Sequence, residues 1–94
     1  MATKQEIIDV LSNSSLWKRD PFGNFRYGCE TGEYRIHFDD KKNYLLIEKY
    51  VIIPASEIRD KSYKKWMILS AGSYGAVFLE PGKIKIGRDR QFDI

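Results

Sequence analysis

Between Phe25 and Phe38 the side chains alternate: Phe25, Tyr27 and Cys29 are separated by Arg26 and Gly28, and Tyr34, Ile36 and Phe38 by Arg35 and His37. Successive side chains of an extended backbone point to opposite faces, so the stretch folds as a half-buried β-hairpin with an apolar and a polar side. Both apolar sets share the core face only if register is kept in step. This predicts a turn around Thr31-Gly32 and pairs Cys29 with Tyr34, Tyr27 with Ile36 and Phe25 with Phe38, because a slip of one residue would expose a whole set. On the opposite face Arg26 then lies across from His37, with Arg35 beside Gly28, as a small cationic patch. Cys29 falls on the core side as a small apolar residue.

Upstream of the hairpin the period is helical. Thr3 followed by Glu6 forms a capping box, and Ile7, Ile8 and Leu11 set one apolar stripe on a helix that ends in the Ser/Asn cluster 12–15. Downstream, Asp40-Lys41-Lys42-Asn43 reads as a turn. Tyr44 to Ile53 reads as a central strand, apolar on both sides over much of its length, in which Glu48 can face Arg35. Pro54 ends it for want of a backbone N–H. Ser56 caps a short helix or turn within 55–63. Trp66–Ser70, Ala76–Glu80 and Lys83–Gly87 read as strands joined by the loop 71–75 and by Pro81-Gly82, with Trp66 on the core face. The polar tail 88–94 is expected to be flexible.

The expected architecture is therefore α+β. An N-terminal helix packs on a twisted antiparallel sheet of six or seven strands arranged largely as a meander, and a partly closed barrel is the alternative. Ninety-four residues suit one compact domain, 1–94, and the 43% hydrophobic content argues for a packed core over disorder. The charged opening MATKQEIIDVL and the single Cys fit neither a secretion signal nor a disulfide framework. No apolar run approaches the roughly 20 residues of a membrane span. A cytoplasmic protein with no membrane attachment is the expectation.

Chemistry-bearing patterns are sparse. Ser70-Ala71-Gly72-Ser73-Tyr74-Gly75-Ala76-Val77 resembles the glycine-rich phosphate loop of protein kinases, with Ser70 in place of the first glycine. No lysine strand motif, catalytic loop or metal-binding aspartate accompanies it, so the glycines read as turn glycines. His37, Asp39, Asp40 and Glu48 lie near one hairpin end, where turn chemistry accounts for both aspartates and no metal site is assigned. Cys29 lacks a neighbouring base on its own face. The expectation is a non-enzymatic protein without cofactor or metal.

What remains is a basic and aromatic surface. The net charge is +3, and the excess falls after residue 53, where eight basic side chains meet five acidic ones. Cations interleave with rings at Trp17-Lys18-Arg19 with Phe22, at Lys61-Ser62-Tyr63-Lys64-Lys65-Trp66, and at Arg26-Tyr27 beside His37, with Arg35 as a further phosphate contact. Cations that neutralise phosphates and rings that stack on bases together suit single-stranded nucleic acid. The competing expectation is a protein–protein interaction module, such as a small inhibitor or adaptor encoded by a virus or mobile element, docking on a larger host protein through the same residues. A homodimer through an edge strand is a third.

Overall fold

A computed structural model of the chain describes residues 2–30, 32–53 and 63–94. The one α-helix among the described residues, α1 (Lys4–Ser12), starts as the sequence requires: Glu6 N donates to Thr3 Oγ1 and Thr3 N to Glu6 Oε1, both at 3.2 Å. Ile7 and Leu11 are buried on its inner stripe. Ser14 Oγ then accepts from the backbone N–H groups of Leu16 and Trp17, turning the chain into the strands.

Five strands follow as an antiparallel meander: β1 (Lys18–Arg19), β2 (Phe25–Cys29), β3 (Gly32–Asp39), β4 (Tyr44–Ile53) and β5 (Tyr63–Ser73). After a single 3₁₀ turn, Tyr74–Ala76, three more, β6 (Val77–Glu80), β7 (Lys83–Ile86) and β8 (Phe92–Asp93), form a second antiparallel sheet. The fold is thus α+β with a sequential strand order. It has two sheets in place of one sheet of six or seven strands, and the barrel alternative is excluded. One buried cluster, containing Ile7, Leu11, Phe25, Ile36, Leu45, Ile47, Val77, Ile84 and Ile86, joins the helix to both sheets.

The division between sheets explains the glycine-rich stretch. Residues 71–73, expected in a loop, are the last of β5 and pair with Leu46, Leu45 and Tyr44. Gly72 faces the core, where a Cβ would collide with Ile86 Cγ2 of β7. Its lack of a side chain lets the second sheet pack closely against the first.

Three local expectations are corrected. The β2–β3 register is two residues away from the one expected, with Phe25 opposite Ile36, Tyr27 opposite Tyr34 and Cys29 opposite Gly32. The backbone of Gly32, at φ 134, takes a conformation that disfavours side chains and so closes the hairpin earlier. A shift of two preserves every face and changes every partner, so Arg26 lies across from Arg35 and not His37. Second, the tail is not frayed: β8 pairs with β7, Ile94 N donates to Gly82 O at 3.0 Å, and Phe92 and Ile94 pack on the core. Third, Cys29 is exposed at the strand end and stands outside any disulfide. The short helix or turn expected within 55–63 falls almost wholly outside the described residues, Tyr63 alone being placed, in β5. Among the described residues no helix is long and apolar enough to cross a membrane.

Candidate binding surface on the β4–β5 arm

A register shift in the β4–β5 ladder creates the most distinctive surface. Ile47 pairs with Ser70 but Glu48 pairs with Ile68, which leaves Leu69 as an extra residue on β5. A bulge reverses the alternation beyond it. Without that inserted residue Trp66 would share the face of Ile47; with it, Trp66 pairs with Tyr50 and lies on the polar face with Arg26, Arg35 and Glu48. The core-face assignment of Trp66 is corrected accordingly, and a bulge has no signature in this stretch that reading by alternation could find.

The two arginines meet Trp66. Arg35 Cζ lies 4.4 Å and Arg26 Cζ 4.9 Å from the ring centroid, and Tyr50 packs against the same ring edge-on at 5.2 Å. Each guanidinium already has a carboxylate. Arg35 Nε donates to Glu48 Oε1 at 2.9 Å, as the sequence expects, and Glu48 is only 6% exposed. Arg26 bonds Glu33 at 2.7 Å and has Asp20 at 4.0 Å. These bonds relieve the repulsion of two like charges placed opposite each other. The patch is therefore cationic in sequence and largely compensated in space.

Beyond the bulge, β4 and β5 run past the core as an arm. None of the residues 49–52 or 65–68 is buried. Ile52 (58% exposed) and Ile68 (56%) stand on the Trp66 face, and Met67 stands on the other. Half of the exposed large hydrophobics of the described chain lie on this arm, so apolar surface is concentrated here and not scattered.

The residues expected to contact a partner separate in the structure. Arg26 and Arg35 join the arm through Trp66, while His37 lies opposite Leu46 with Nδ1 hydrogen-bonded to Asn24 Oδ1 at 2.8 Å. Trp17 is no stacking platform: at 3% exposure it belongs to the core, because the Ser14 turn directs its ring inward from the flanking Lys18 and Arg19. Lys18 and Arg19 are exposed on β1, and Phe22 projects from the following turn at 85% exposure. Lys65 is exposed on the arm, Tyr63 and Lys64 are placed only as the first residues of β5, and Lys61 lies outside the described residues. The residues that sequence reasoning passed over are Tyr50, Ile52, Met67 and Ile68.

The acidic groups near the β3–β4 turn each have other partners. Asp40 Oδ1 accepts from Lys4 Nζ at 2.7 Å and from the Tyr74 hydroxyl at 3.0 Å, and these bonds hold its carboxyl below the usual range. Among the described residues no three metal-binding side chains converge. Comparison of the chain with protein-family models, with curated proteins and with solved structures gave no match.

Proposed function

We propose that this chain is a non-enzymatic interaction protein that docks on a larger protein through the β4–β5 arm. The observation that carries the reading is the apolar exposure of that arm on both faces, around a Trp66 ring flanked by Arg26, Arg35 and Tyr50. Past Lys49, where β3 no longer pairs with β4, the arm is a two-stranded ribbon and so marginal in water; contact with a partner stabilises it while removing Ile52, Met67 and Ile68 from solvent. Trp, Tyr and Arg are the residues that dominate protein interfaces. Stacked guanidiniums that are already ion-paired have little left to neutralise a phosphate backbone.

Recovery of the protein from its source cells tests this reading. A defined polypeptide should be retained through a high-salt wash by the native chain and by a Lys18→Glu/Arg19→Glu variant, and lost with Ile68→Asp. Retention unaltered by Ile68→Asp would remove the arm from the interface. Recovery of dimers alone would assign the arm to self-association.

A second reading, binding of single-stranded nucleic acid, has its own support at β1, where exposed Lys18 and Arg19 hold no ion pair among the described residues and neighbour the exposed Phe22 ring. That reading predicts oligonucleotide binding that weakens steeply with salt and is lost on Lys18→Glu/Arg19→Glu. Binding that survives those changes sets it aside.

A further inference from the structure

On the face of the sheet opposite Trp66, a cleft of about 220 Å³ lies where the end of the β2–β3 hairpin meets the last strand. Aromatic rings make its walls. Trp17 and Tyr27 have centroids 5.5 Å apart and Tyr27 and Tyr34 stack at 6.1 Å, with Phe92 of β8 also lining the space. The cleft exists because β8 is docked: without its pairing to β7 the wall supplied by Phe92 would be missing.

The polar groups around the cleft differ in what they have left to offer. Asp93 is occupied twice, its carboxylate by Lys83 Nζ at 3.0 Å and its carbonyl oxygen by Trp17 Nε1 at 2.7 Å. The Tyr27 hydroxyl is held above the ordinary tyrosine range, chiefly by Cys29 through its charge and a hydrogen bond, so it stays protonated. Arg90 is different. Its guanidinium rests 4.8 Å over the Phe92 ring, and it has no carboxylate partner among the described residues. A planar fork of N–H donors thus stands beside a space walled by flat rings.

We propose that this cleft binds a small planar aromatic carboxylate, its ring packed against Tyr27 and Tyr34, behind which Trp17 lies buried, and its carboxylate on Arg90. The ring walls select a flat apolar body by offset or edge contacts, and the guanidinium selects a planar anion by paired charge-assisted hydrogen bonds. A cation would meet Arg90 unfavourably, and a neutral ring would leave it unused. The site is separate from the β4–β5 arm and does not depend on its role.

Cys29 lines the cleft and is exposed, which makes its alkylation a reporter of occupancy. With 2-naphthoate as probe, iodoacetamide should label Cys29 of the full chain progressively more slowly as probe is added, to a saturating limit. Amide resonances of residues 27–29 and 90–93 should shift over the same range. The neutral 2-naphthamide should bind about tenfold more weakly, and Arg90→Gln should lose the same factor while keeping the native spectrum. Unchanged labelling and resonances at millimolar probe overturn the proposal. So does equal binding of naphthoate and naphthamide to the native chain, a comparison that requires no variant to fold.

Discussion

Trp17 Nε1 donates to the carbonyl oxygen of Asp93 at 2.7 Å, tying together positions 76 residues apart. The bond closes the path from the helix, through the first sheet, to the last strand. It satisfies the only polar atom on a ring that is otherwise sunk in the core, as a buried indole requires.

Replacement of Trp17 by Phe should therefore lower stability by about 2–3 kcal/mol, from the lost hydrogen bond together with the volume removed from the core. Removal of residues 92–94 should cost a comparable amount, since Phe92 and Ile94 pack on that core. Urea unfolding measures both. A truncated chain with an unaltered midpoint would show that β8 contributes nothing to the fold.

Gly72→Ala should destabilise by about 1–3 kcal/mol, the range for forcing extra volume into a packed interior, because the new methyl meets Ile86. Ile86→Ala removes the opposing group. The double variant should be more stable than the sum of the two single effects predicts, with a coupling of about 0.5 kcal/mol or more in a double-mutant cycle. Strict additivity would place the strain elsewhere.

Glu48→Ala leaves Arg35 mostly enclosed, with a positive charge and no carboxylate. The loss should be about 2–3 kcal/mol, somewhat below that for a fully buried pair because the Arg35 side chain keeps 22% of its exposure. Arg35→Met/Glu48→Leu should recover most of it. Denaturant midpoints for the three chains decide whether the pair stabilises or merely satisfies itself.

Stability should also decline at high pH. Burial and the hydrogen bond to Asp40 raise Tyr74 from 10.0 to about 12 in the folded chain, so the folded state retains a proton that the unfolded state releases first. The contribution is complete below pH 10 and is lost as pH rises towards 12. Tyr74→Phe should flatten this part of the stability profile. Asp40 acts at the other extreme: its lowered carboxyl stabilises above the ordinary carboxylate range and ceases to do so as acid protonates it.

Much of this molecule follows from local pattern. Thr3 and Glu6 fix the helix start, the alternation from Phe25 to Phe38 fixes which side chains share a face, and the Arg35–Glu48 pairing follows from that alternation across one predictable turn. Each depends on neighbours a few residues apart, or on a period that the chain itself displays. Cys29 illustrates the limit: its face was legible, but its exposure depends on its place at the end of a strand.

Tertiary structure alone decided the rest. An inserted Leu69 transferred Trp66 from one face to the other, a shift of two moved Arg26 opposite Arg35, and the docking of β8 turned an apparently polar tail into part of the core. Periodicity specifies a face but is blind to even shifts, to single insertions, and to which distant strand supplies the missing contact. Those are settled by packing between residues far apart in the chain, and that packing produced both the apolar arm and the aromatic cleft.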